Sequence, residues 1–186
     1  HPTGGTKELD ELIEAELKKV AQGWGDSPEV RKARAQLYGK RNLAAARKQI
    51  EALPDGEDKD ALQRELTTAF SWRVKAVQAL RDEGRFAEAR ETAQALKKAV
   101  AGVSDWEQQA ATLLAEFDQP DLQKELAASK KIDTVFASIR AKKLKVADAV
   151  KPMRSIAKSA AGTKSGARAE TLAALFEQAA KGNSER

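Results

Sequence analysis

Residues that usually carry chemistry are nearly missing from this chain. Its 186 residues include no cysteine, and the single histidine is His1. Without Cys there is no disulfide framework and no thiolate metal site. One histidine leaves no His pair for zinc, no Glu-x-x-His partners for a di-iron bundle, and no Ser-His or Cys-His nucleophile. The sequence thus implies no catalytic set, no cofactor and no metal. Carboxylates are plentiful but interleave with cations. Glu83, Glu88 and Glu91 sit among Arg81, Arg85 and Arg90, the pattern of a solvated helix face. The nearest approach to a phosphate-binding loop is Gly162-Thr163-Lys164-Ser165-Gly166. It lacks the first glycine at the required distance and no strand precedes it, so it reads as the cap of the last helix.

Binding features are more visible. From Lys124 to Arg168 there are twelve basic and three acidic residues, a net of +9. The whole chain carries +5, so the remainder is at −4. Arg140, Lys142, Lys143 and Lys145 cluster at an expected turn between helices, and Lys151, Arg154 and Lys158 come next at spacings of three and four. Such a stripe suits phosphates or an acidic protein. Nucleic acid fits less well. No aromatic interleaves the lysines, and no helix-turn-helix or RNA-binding signature occurs. Three tryptophans stand out: Trp24 in a Gly-flanked turn, Trp72 inside a long helix, and Trp106 in a first helical turn. Trp24 and Trp106 either cover hydrophobic seams or join the basic stripe as a partner-binding surface.

The elements that position these residues are helical. Alanine occurs 36 times against 14 Val plus Ile, which argues against a sheet core and for close helix contacts. Apolar residues recur at helical spacing and Gly or Pro punctuates them. The expected helices are Lys7–Gln22, Ser27–Gly39, Asn42–Leu53, Asp58–Glu83, Phe86–Ala101 and Ser104–Phe117. A short one starts at Pro120, another holds Ile132 to Ile139, a third runs from Val146 to Ala160 with a kink at Pro152, and the last spans Ser165–Lys181. Ser104 and Glu107 fit a capping box. The fold class is all-α with about nine or ten helices, arranged as antiparallel hairpins or as a bundle. Residues 1–6 read as a linker or processed N-terminus, 7–181 as the helical domain and 182–186 as a frayed tail. An internal division, if there is one, falls near 102–120. No apolar run reaches the roughly 20 residues of a membrane helix.

Gly84, Phe86 and Ala89, continued by Ala93 and Leu96, sit at a helix–turn–helix junction. This segment resembles the tetratricopeptide repeat, in which a small residue at the turn lets two helices approach and an aromatic fills the gap. Weaker echoes occur at Leu43–Ala46 and Val146–Ala149, with offsets of 43 and 60 residues between Leu43, Phe86 and Val146 rather than a regular period. The resemblance implies a degenerate hairpin array acting as a non-enzymatic protein-binding or scaffold module. Phe136 to Phe176 is similar to helical hairpins appended to exported bacterial proteins, which implies instead an auxiliary C-terminal domain of a larger exported enzyme. The basic 124–168 region leaves a polyanion-binding protein as the other alternative. His1 in place of Met suits a processed exported protein or an excised domain, and a cytoplasmic origin fits as well.

Overall fold

In the computed structural model the described residues, which are Glu16, Lys18, Lys19 and 22–184, form helices joined by turns, with no strand among them. Eight α-helices are defined there: α1 Pro28–Arg34, α2 Leu43–Glu51, α3 Glu57–Asp82, α4 Phe86–Ala99, α5 Ser104–Ala115, α6 Pro120–Arg140, α7 Val150–Ser159 and α8 Lys164–Ser184. Most of the expected Lys7–Gln22 helix, and the expected linker at 1–6, lie outside the described residues.

Several boundaries differ from the sequence reading, each for a local reason. The two helices expected after Pro120 are one helix of 21 residues, α6. Nothing between Leu126 and Ile132 interrupts it, since Ala, Ser and Lys all tolerate helix and no Gly or Pro intervenes. Pro152 does not kink a helix. It falls in the first turn of α7, where the missing N–H would have had no intrahelical partner anyway. The Ser104–Glu107 box is replaced by a related contact, in which Glu107 accepts from the Gly102 N–H at 3.0 Å. The last helix continues to Ser184 rather than ending at Lys181. Beyond α1 the chain does not simply continue as α-helix. Ala35–Gly39 forms a π-turn, closed by the Lys40 N–H on the Ala35 carbonyl at 2.9 Å.

The chain divides into two compact units that are discontinuous in sequence. One comprises the chain up to Arg73 together with Leu96–Gln108; the other comprises Val74–Ala95 and the chain from Gln109 onward. In the first, Val30, Ala33, Leu37, Leu43, Ala46, Ile50, Leu62, Leu66 and Phe70 are buried. Trp106 stacks on Phe70 with ring centroids 4.5 Å apart and planes 4° from parallel. Such a pair adds roughly 0.5–1.5 kcal/mol beyond its burial.

The second unit holds two apolar clusters. Val77, Phe86, Ala89, Ala93, Phe117 and Leu126 form one. Ile132, Val135, Met153, Ile156, Ala169 and Ala173 are among the residues of the other, with Phe136 and Phe176 edge to face at 5.8 Å beside it. Alanines recur at the contacts, as close helix packing requires. A polar knot joins α6, α8 and the turn before α4. Glu125, only 9% exposed, accepts from the Lys164 N–H at 2.7 Å and the Ser165 N–H at 2.8 Å. It thereby caps α8 from a different helix. The Ser165 hydroxyl lies 3.0 Å from the Glu125 carbonyl and 3.2 Å from that of Gly84, and the buried Ser129 hydroxyl accepts from the Ala87 N–H at 3.1 Å. Gly84 has φ +70, and a Cβ there would lie 2.8 Å from the Lys164 carbonyl oxygen. Only glycine suits that backbone at that distance.

Removing the Glu125 carboxylate strands two N–H donors at the start of α8. Glu125→Ala is expected to cost about 2–4 kcal/mol in urea unfolding, and Glu125→Gln, which keeps one acceptor, about 1 kcal/mol. A Glu125→Ala variant within 0.5 kcal/mol of the parent (on the order of surface substitutions) would show that the cap is unimportant.

Candidate functional site, a cationic groove beside Trp72

The first unit carries an open groove of about 880 Å³ lined by Leu37, Tyr38, Arg41, Arg64, Trp72 and Arg73 among others. Its construction begins at the π-turn. The extra residue in that turn lets Leu37 be fully buried while Tyr38 is half-exposed beside Glu65. Turns of this kind are frequent at functional sites. Two residues later Arg41 takes φ +56, a left-handed conformation unfavourable for a residue with a Cβ. Its carbonyl receives the Arg73 Nη1 at 2.8 Å, and the Leu37 carbonyl lies 3.5 Å from Arg73 Nη2.

One wall of the groove is electrostatically closed. Arg34 pairs with Glu65 through two bonds, Nε to Oε2 at 3.2 Å and Nη2 to Oε1 at 2.6 Å. The Tyr38 hydroxyl donates to the same carboxylate at 3.1 Å. Hydrogen bonding to Glu65 raises Arg34 above its ordinary value. Trp24 packs on this set, stacked on Tyr38 at 4.9 Å with the Arg34 guanidinium 5.3 Å over its ring. The Gly23 turn that delivers Trp24 has φ +78, and a Cβ there would lie 1.9 Å from the Arg31 carbonyl oxygen.

The other wall is open. Arg41 and Arg64 are exposed and Arg73 is half-buried, and no carboxylate of the described residues forms an ion pair with any of them. Burial, and then the charge of Arg41, pulls Arg73 below its ordinary value. A guanidinium held only by main-chain carbonyls keeps its full charge uncompensated. Trp72 stands at the rim and is 68% exposed.

The sequence-derived candidates are distributed elsewhere. Trp24 is 44% exposed within the wall just described, whereas Trp106 is half-buried in its stack on Phe70. Arg140, Lys142, Lys143, Lys145, Lys151, Arg154 and Lys158 are all exposed in the second unit. The first three sit at the C-terminal end of α6, where cations face free carbonyls. Lys142 has φ +57, and the Lys143 N–H returns to the Ser138 carbonyl at 2.9 Å. Lys151, Arg154 and Lys158 share the outer face of α7, and Arg154 bonds Glu177 at 2.7 Å. The Gly162–Gly166 turn offers no free anion seat at the N–H groups of Lys164 and Ser165, because Glu125 occupies them. Among the described residues no group of three or more His, Asp or Glu is placed to hold a metal ion, and no helix is long and apolar enough to cross a membrane.

Sequence reasoning passed over the Trp72 groove. Trp72 lies two positions after the apolar Phe70 in a long amphipathic helix, and its exposure depends on which face α3 buries. Arg73 and Arg41 are 32 residues apart and only the fold joins them. Comparison with protein-family models, with curated proteins and with solved structures gives no match.

Tyr38 is the only tyrosine, so its ionisation can be read directly by ultraviolet absorbance. Burial, and then the Glu65 charge, push its phenol above the ordinary value of 10. The neutral phenol is therefore favoured in the fold. Its contribution is complete below pH 10 and disappears as pH rises through the raised folded value. Glu65→Gln is expected to bring the midpoint down toward 10; an unchanged midpoint would remove Glu65 from this role.

Proposed function

We propose that the chain is a helical protein-interaction module, an irregular array of hairpins that acts by binding rather than by catalysis. In this reading the groove beside Trp72 receives an acidic surface of a partner protein. The observation that carries it is Trp72, 68% exposed next to three arginines without carboxylate partners among the described residues. Tryptophan and arginine dominate the energetics of protein interfaces, and an exposed tryptophan contributes little to the core. The backbone supports the reading too. A π-turn and a left-handed arginine sit at one edge of the groove, and strain of that kind accumulates at functional positions.

A second reading has an observation of its own. Arg140, Lys142, Lys143, Lys145, Lys151 and Lys158 are exposed, and no ion pair engages them among the described residues. In this reading they serve a polyanion, with binding that falls steeply as salt rises.

Trp72→Ala is expected to leave helical circular dichroism intact and to weaken partner capture by about tenfold or more, the range of interface hot spots. The combined Lys142→Glu, Lys143→Glu and Lys145→Glu variant is expected to abolish retention on heparin while sparing that capture. Capture that is indifferent to Trp72 and lost in the lysine variant would reverse the order of the two readings.

A further inference from the structure

The second unit has a feature of its own, unused in the reading above. Within the second unit a cavity of about 460 Å³ lies between α4 and α6. From α4 it is lined by Ala87, Arg90, Glu91 and Gln94, at relative positions 0, 3, 4 and 7. From α6 it is lined by Leu126, Lys130, Asp133 and Thr134, at 0, 4, 7 and 8. Both sets are single helix faces. The Ser129–Ala87 hydrogen bond fixes the two helices at one end of the cavity.

The charges here are not arranged like those nearby. Arg85 is bonded to both Glu83 and Glu88, as a solvated surface pair would be. By contrast, the side chains of Arg90, Glu91, Lys130 and Asp133 make no hydrogen bond or ion pair with any of the described residues. Arg90 Nε is buried and lacks any acceptor among them. An orphaned, buried charged donor of this kind is rare and costly. Asp133 is half-buried and is pushed above the ordinary carboxyl range by burial, with repulsion from Glu88 and Glu91 working against attraction from Arg168 and Arg85. The cavity therefore holds two cations and two carboxylates whose side chains are bonded to none of the described residues, with Arg90 the most enclosed donor among them. Gln94 and Thr134 add neutral polar groups, and Leu126 and Ala87 give an apolar floor.

We propose that this cavity binds a small zwitterion of the free amino acid class, its carboxylate on Arg90, its ammonium on Asp133 and Glu91, and its side chain over Leu126. One ligand supplies both missing partners at once. A simple anion would use Arg90 and leave Asp133 and Glu91 with Lys130 as the one other cation lining the cavity. A simple amine would leave the Arg90 guanidinium without an acceptor. The site is independent of the proposed protein-interaction role, and neither depends on the other.

Calorimetric titration of the full chain with three probes tests it: leucine, N-acetyl-leucine, which lacks the ammonium, and leucinamide, which lacks the carboxylate. Leucine is expected to bind, and each derivative about tenfold or more weaker, as for loss of a charged hydrogen bond. Arg90→Gln is expected to abolish the preference for leucine over leucinamide. Asp133→Asn, and separately the exposed Glu91→Gln, are expected to reduce the preference over N-acetyl-leucine. Circular dichroism and urea unfolding establish that each variant folds, and Glu91→Gln remains informative if Asp133→Asn does not. Equal binding of all three probes would overturn the proposal. So would failure of leucine and of every other common amino acid to bind at 10 mM (roughly the weakest affinity worth calling a site).

Discussion

A carboxylate shielded from water must find donors or give up its charge. Glu125 meets this constraint with the first two free N–H groups of α8, which have the same problem in reverse. The exchange satisfies a helix end and an anion together, with the helix dipole favouring the arrangement. Much of the second unit depends on it. Because α8 must begin against Glu125, the Gly84 turn lies against Lys164, and position 84 has no room for a side chain. Ser165 then reaches the Gly84 carbonyl, and Ser129 takes the Ala87 N–H. Three helices are thus indexed to one another by polar contacts, and the apolar clusters fill the space those contacts define.

The first unit depends on an analogous pairing that is only partly closed. Glu65 neutralises Arg34, orients Tyr38 and holds Trp24 indirectly. Among the described residues no second carboxylate does the same for Arg73, Arg41 or Arg64. A surface ion pair contributes little to stability, so nothing in folding demands that these charges be paired. The contrast between the closed and open walls is what separates scaffold from candidate surface here.

The helical class was plain from composition and period, because alanine-rich, amphipathic stretches with Gly and Pro stops leave few alternatives. Helix ends were legible where a cap is local, as at Ser27, whose hydroxyl accepts from the Val30 N–H at 3.1 Å, and at Asn42, which accepts from Ala45. They were not legible where the cap comes from elsewhere. Nothing near Lys164 announces that Glu125, 39 positions earlier, will take its N–H. The same distance limit hid the groove and the cavity. Arg81, Arg85 and Arg90 look alike in sequence, yet Arg81 pairs with Glu116, Arg85 with its neighbours, and Arg90 with no carboxylate of the described residues. The basic cluster at 140–145 was visible as charge, but its position at a helix C-terminus is a matter of fold.

The π-turn at Ala35–Gly39 has a consequence for how this chain can vary. A turn of this kind carries one residue more than α-helical register needs, and each residue added or lost rotates the downstream chain by about 100°. Many substitutions at exposed Gly39 or Lys40 leave Leu37 and Tyr38 aimed as they are. A single deletion between Ala35 and Leu37 swings Tyr38 away from Glu65 and Trp24, and displaces the carbonyls that hold Arg73. Outside the aimed Leu37 and Tyr38, then, the spelling between Arg34 and Arg41 is loose and the length is fixed. Insertions and deletions, rather than exchanges of side chain, are the changes this stretch cannot absorb.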